Sequence, residues 1–195
     1  MLRLDTARRL QRRARSAVLR QHALKKMRVG IALGSNLGNR LENLRAARRA
    51  ITTIAGAALP VLASPIYETD PVECEPGAAK FLNAVIEFSY AGEPGELFDQ
   101  LKRIEVELGR PANHQLNVSR PIDLDLLYFG DTMLKSSRLS LPHPRIVGRQ
   151  FVLQPLADIR PDLVLPGQTK TVRELLASAT QSGKVVRLDT DWNPL

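Results

Sequence analysis

Apolar and polar positions alternate in distinct regimes along this chain. Residues 28–33 (RVGIAL) are a short apolar run with β-branched members, and the turn-rich GSNLGN of 34–39 follows; this predicts a strand and then a loop. Over 40–54 the apolar residues Leu41, Leu44, Ala47, Ala50, Ile51 and Ile54 recur at intervals of three and four. That spacing predicts an amphipathic helix with Asn39 as its N-cap. Residues 59–68 read as a strand whose Pro60 and Pro65 place it at an edge or at a bulge. Residues 81–90 (FLNAVIEFSY) read as a strand, 93–108 as a second helix closed by Gly109, and 122–129 (IDLDLLYF) as a further strand. On that last strand Leu124, Leu126 and Tyr128 are expected to share the core face. Gly130-Asp131 turns the chain towards 132–134, and short helices are expected around 149–156 and over 172–179. Two long polar stretches, 69–79 and 110–120, have no periodicity and read as loops of functional length.

The order β-α-β-β-α-β is the split βαβ, ferredoxin-like arrangement, so an α+β fold is expected, with a mainly antiparallel sheet and both core helices on one face. Fold alone does not assign function. With 195 residues and 44% hydrophobic content the chain has material for one ordinary domain, and no second catalytic domain is expected within it. No apolar run is long enough to span a bilayer, so no membrane partner is expected. The single cysteine, Cys74, is compatible with a reducing compartment, and cytoplasm is the expected location.

The net charge of +8 sits in one place. Residues 1–26 hold nine bases and one acid, which is the whole excess, whereas from Met27 onward 19 bases face 19 acids. The basic character is therefore expected to belong to a tail, not to a groove of the domain. Three readings of the tail stay open: an organellar presequence, a surface-binding arm, or an extension without function. It is expected to lie outside the fold, which then occupies 27–195.

Asp123-Leu124-Asp125 is the sharpest chemical signal. Residues i and i+2 of a strand face the same way, so two carboxylates meet on one face, where they could seat Mg²⁺ or merely be solvated. Arg110, Arg120, Arg145 and Arg149 lie in the flanking loops and supply the fork-shaped donors that suit phosphate oxygens. Carboxylates for a metal beside arginines for anions suggest a polyphosphate site. His143, between two prolines, is placed either to bind phosphate or to cap a turn. Glu105 on the second helix reads by itself as a solvated acid. Gly34-Ser35-Asn36 between strand and helix hints weakly at phosphate binding, and no P-loop, dinucleotide, zinc or hydrolase motif is present.

Taken together, GSNLGN at 34–39, Tyr67-Glu68-Thr69, FLNA at 81–84, Glu105 to Arg110, RPIDLDLL at 120–127 and PHPR at 142–145 to Arg149-Gln150-Phe151 resemble the 6-hydroxymethyl-7,8-dihydropterin pyrophosphokinase family from about Met27 to Gly167. The resemblance implies that Asp123 and Asp125 hold two Mg²⁺ ions bridging ATP. It implies too that the pterin hydroxymethyl oxygen attacks the β-phosphorus, AMP leaves, and the product feeds folate synthesis. By the same resemblance Glu105, Arg110, Arg120, His143 and Arg149 serve ATP, with Arg110 and Arg120 catalytic beside the aspartates. Phe151 would stack on the pterin with Phe81 nearby, and Asn83 with Thr69 and Val72 would read its edge. The loop 110–120 departs from the family's R-x-R-x-x-R-W-G-P-R pattern. Ala112 and Leu116 replace two arginines, Asn117 stands at the tryptophan, and Val118-Ser119 replaces Gly-Pro. A weaker closed state is expected.

Two rival readings stand beside this one: a single-stranded nucleic-acid-binding module with a basic arm, and a catalytically weakened pterin-binding relative. No RNP-type cluster occurs on the strands, and an acid pair would repel phosphates unless a metal intervenes. The expectation is therefore a monomer acting on small-molecule substrates, with no nucleic acid.

Overall fold

The computed structural model describes residues 25–111, 118–180 and 183–192. Its main sheet comprises β1 (Met27–Ser35), β2 (Ala57–Ala63), β3 (Ile66–Thr69), β4 (Phe81–Tyr90), β5 (Asp123–Phe129) and β8 (Val185–Leu188). The strand order is β5-β1-β4-β3-β8, with β2 also pairing with β4, and every recorded pairing is antiparallel. β6 (Leu134–Lys135) and β7 (Ser140–Leu141) form a separate small hairpin. The helices are α1 (Arg40–Thr52), α2 (Pro94–Glu107), α3 (Gln150–Ile159) and α4 (Val172–Ser178). The core of β1, α1, β2/β3, β4, α2 and β5 is the expected ferredoxin-like arrangement.

The helices start and stop where local chemistry directs. The Asn39 side chain accepts the N–H of Glu42 at 3.2 Å, capping α1. α2 ends in a Schellman turn. Gly109 adopts φ 94°, the Arg110 N–H donates to the Glu105 carbonyl at 2.9 Å, and the Gly109 N–H donates to the Val106 carbonyl at 3.0 Å. A residue with a Cβ is strained at that φ, and the turn is what sends Arg110 back over the sheet.

Both core helices pack on one sheet face, where Ile31, Leu33, Leu44, Ile51, Leu97, Leu101, Leu124 and Leu126 form one buried cluster. The other face is covered in part by α3 and α4, with Val85, Leu127, Tyr128, Leu153 and Leu156 as a second cluster. Tyr128 thus sits opposite to the face its alternation implies. Gly30 pairs with Tyr128 but Ile31 pairs with Leu126, so Leu127 is an extra residue that turns the following side chains over. The Tyr128 hydroxyl then donates to Glu87 at 2.6 Å in the second layer.

The predicted 59–68 strand is two strands. Ser64 breaks it: its N–H donates to the Val85 carbonyl at 2.9 Å, while its hydroxyl accepts the Val85 N–H at 3.0 Å. β8 and β7 were not expected from the sequence. Their four- and two-residue runs have no readable period: β8 exists through pairing with the distant β3, and β7 through a short hairpin with β6. The readings of the N-terminal tail up to residue 24 and of Ala112, Leu116 and Asn117 lie outside the described residues.

Candidate active site

On the face that carries α3 the sheet has a depression. Two cross-strand rows form its floor: Asp123, Gly34 and Asn83, then Asp125 and Ala32, whose third member Val85 is covered by α3. The middle position of each row is small. A Cβ at Gly34 would lie 3.1 Å from the Asn83 Oδ1 and 3.9 Å from the Asp123 Cβ, so any side chain there fills the floor. Above it lies a cavity of about 590 Å³, the size of ordinary small-molecule sites. Thr69, Val72, Phe81, Asn83, Arg110, Arg120, Asp123, Asp125, Arg149 and Phe151 all line it. A smaller cavity of about 200 Å³ adjoins through Asp125, Phe98 and Arg138, and His143 is in its wall.

The two aspartates differ. Asp123 is clasped by Arg110, and its other oxygen lies 2.8 Å from Arg120 Nη2. Burial opposes its charge, but Arg120, Arg110 and Lys102 outweigh that and bring the carboxyl down to about 2. Asp125 has looser company, with His143 Nε2 at 4.0 Å and Arg149 Nη1 at 3.8 Å from one oxygen. His143 Nδ1 accepts the Arg145 N–H at 3.3 Å, so the proton of the neutral ring belongs on Nε2, facing Asp125. Burial pushes the imidazole pKa down, and Arg149 and Arg145 add to that against the pull of Asp125.

Arg120 is placed by Asn36. The Asn36 Oδ1 accepts the Arg120 N–H at 2.7 Å, and the Asn36 N–H donates to the Arg120 carbonyl at 3.2 Å. The Asn36 amide also donates to Ser119 Oγ at 2.9 Å and the Ala79 carbonyl at 3.3 Å, riveting three loops together. Asn36 is buried and committed to protein, and of residues 34–36 Gly34 alone lines the cavity. Arg120 stacks on Phe81 at 5.4 Å and Arg149 on Phe151 at 5.3 Å, so each aromatic wall carries a cation. The Asn83 amide donates to Thr69 Oγ1 at 2.7 Å, which fixes the direction of its carbonyl oxygen.

Glu105 is not a lining residue. It is 2% exposed and lies behind β5, where one carboxylate oxygen takes the Leu124 N–H at 2.6 Å, Lys102 Nζ at 2.8 Å and Arg110 Nη1 at 2.9 Å. In this position it braces β5 and Arg110 from behind the cavity wall. Burial raises its pKa, and the charges of Lys102 and Arg110 pull the other way. Sequence reasoning missed Lys102, Phe98 and Arg138, which the fold brings to the wall from α2 and the β6–β7 turn. Nothing in their local pattern marks them. The expectation of no basic groove is corrected as well: Lys102, Arg110, Arg120, Arg138, Arg145 and Arg149 line the cavity against Asp70, Asp123 and Asp125. A neutral sum over the folded part concealed a local separation of charge.

Among the described residues no group of three or more His, Cys, Asp or Glu side chains converges for a metal. Two carboxylates on one strand face nevertheless suit Mg²⁺, which takes one or two from protein and fills its shell with water and phosphate oxygens.

A family model for 7,8-dihydro-6-hydroxymethylpterin-pyrophosphokinase matches residues 30–161. The chain is 40% identical over 159 residues to a 2-amino-4-hydroxy-6-hydroxymethyldihydropteridine pyrophosphokinase of Pseudomonas aeruginosa, covering 80% of this chain and 94% of that one. It is 42% identical over 131 residues to a folate synthesis bifunctional protein of Arabidopsis thaliana, which covers 67% of this chain but only 26% of that longer relative. The fold resembles a crystal structure of Plasmodium falciparum HPPK-DHPS with pterin and p-hydroxybenzoate. The TM-score is 0.63 at 16% identity, over 80% of this chain and 43% of that one.

Proposed function

The chain belongs to the 7,8-dihydro-6-hydroxymethylpterin-pyrophosphokinase family, and on that premise we propose that it transfers a pyrophosphoryl group from ATP to 6-hydroxymethyl-7,8-dihydropterin, an activity of folate biosynthesis. One observation carries the reading. Two carboxylates of β5 and six cationic side chains meet at one cavity whose floor ends in Asn83 and whose walls include Phe81 and Phe151. A flat, polar-edged ring suits the aromatic walls, with the oriented Asn83 amide and Thr69 hydroxyl reading its edge. A polyphosphate suits the arginine side.

In the proposed reaction the hydroxymethyl oxygen bonds to the β-phosphorus. The bond from that phosphorus to the bridging α–β oxygen breaks, AMP departs with its electron pair, and the hydroxyl proton passes to solvent. Arg110, Arg120 and Arg149 hold the phosphates in line and offset their charge, and His143 donates through Nε2. Two Mg²⁺ ions, held by Asp123 and Asp125, would supply Lewis-acid polarisation of the phosphates. Phe81, Phe151 and Val72 exclude water from the ring. All these residues come from one chain, so a single copy is the proposed acting unit.

The test is AMP release from ATP and Mg²⁺ with and without the pterin. Pterin-dependent AMP that falls by about 10²-fold or more in Asp125→Ala supports the reading. Formation of ADP in place of AMP would overturn it, because the γ-phosphorus would then be the one attacked.

A further inference from the structure

Among the described residues β5 is an edge strand: it pairs with β1 on one side and has no strand on the other. At Leu124, between the two aspartates, both backbone groups point to that open side. An edge N–H and C=O in a half-buried strand require partners. Here α2 supplies them with side chains. Glu105 Oε1 accepts the Leu124 N–H at 2.6 Å, and Lys102 Nζ donates to the Leu124 carbonyl at 3.1 Å. The two side chains join each other at 2.8 Å, closing a ring around one residue of the strand. Lys102 and Glu105 thus stand in for a neighbouring strand at a single position.

We propose that Lys102 is a positioning residue for the metal seat, which sets the orientation of Asp123 and Asp125 by holding Leu124 and by sharing the Glu105 carboxylate with Arg110. Three observations support it. Glu105 is 3% exposed at its side chain and receives Lys102 and Arg110 on the same oxygen, so loss of one cation shifts the load to the other. Arg110 is also the partner of Asp123, so a shift of Arg110 towards Glu105 acts on the aspartate. Lys102 itself borders the cavity, with its ammonium 5.5 Å from the Phe98 ring centre, so the support is built into the wall of the site. Outer partners of this kind orient metal ligands and change metal affinity about 10–100-fold when removed.

The inference rests on the proposed binding of a metal–nucleotide complex at Asp123 and Asp125. The experiment measures Mn²⁺ binding by the loss of the free-ion electron paramagnetic resonance signal, in the presence of α,β-methylene-ATP, which cannot be cleaved at the reacting bridge. Wild type, Lys102→Met, Lys102→Gln, Lys102→Arg and Arg103→Met are compared, with thermal melting of each. Arg103 lies next on the same helix and is exposed, so its loss controls for net charge alone. The expected result is nucleotide-dependent Mn²⁺ binding that is about tenfold weaker in Lys102→Met, intermediate in Lys102→Gln, mostly restored in Lys102→Arg and unchanged in Arg103→Met. A merely structural lysine would lower the melting temperature and leave the affinity of the folded protein alone. Equal Mn²⁺ affinity in wild type, Lys102→Met and Lys102→Gln overturns the proposal while leaving the reaction intact. A wild-type chain that holds no Mn²⁺ with the nucleotide overturns the metal seat and the proposal together.

Discussion

Asp123 is pinned between Arg110 and Arg120, whereas the nearest partners of Asp125, Arg149 and the His143 ring, stand 3.8 and 4.0 Å away and leave it 26% exposed. Neutralising each should therefore have different consequences. Asp123→Asn removes the carboxylate that Arg110 and Arg120 share and should cost about 2 kcal/mol of stability in denaturant titration as well as activity. Asp125→Asn should abolish pterin-dependent AMP formation while moving stability by about 0.5 kcal/mol or less. The pH dependence follows the same geometry. The Asp123 carboxyl is lowered to about 2 in the fold from an ordinary value of 3.8, so its contribution is complete above pH 4 and is lost as pH falls towards 2. An acid-melting curve of Asp123→Asn should lack that part of the decline. The DxD pair and its arginines were legible because a two-residue period and a charge type are local properties. The burial of Glu105 was not, since it depends on where α2 lies against β5.

At the scale of elements, the C-terminal segment closes the layer beneath α1. Trp192 is 4% exposed, its indole N–H donates to the Ser64 carbonyl at 2.8 Å, and the Arg48 guanidinium stacks on it at 4.8 Å. Trp192→Ala should lower unfolding free energy by about 3–5 kcal/mol in chemical denaturation. KM for ATP in the folded fraction should stay unchanged, because Trp192 belongs to the cluster on the sheet face opposite the cavity. The long helices could be read from their periods and β4 from its β-branched and aromatic residues. The end of β5 could not, because the extra residue at Leu127 is a property of pairing with β1. β8 is likewise a strand because β3 offers it an edge.

At the scale of the whole molecule, all three tyrosines, Tyr67, Tyr90 and Tyr128, are buried. Burial raises each phenol above the ordinary 10.0, with a hydrogen bond to Asp158 helping to bring Tyr67 to about 12 and the charge of Glu87 adding to the rise at Tyr128. Phenols raised in the fold ionise first in the unfolded chain, so stability is complete below pH 10 and declines from there through 12. Titration of phenolate absorbance should show little ionisation at pH 10 and then a rise that coincides with loss of circular dichroism. Separate early ionisation of any tyrosine would contradict the packing. The sequence by itself determined the ferredoxin-like order, the acid pair and the family, because periodicity, turn chemistry and motif spacing are written along the chain. Only the tertiary structure decided which cations share the cavity with that pair, why Gly34 must be small, and that Lys102 and Glu105 complete the open edge of β5. Those are facts of distance between residues far apart in sequence, and they arise only when strands pair and a helix packs against their edge.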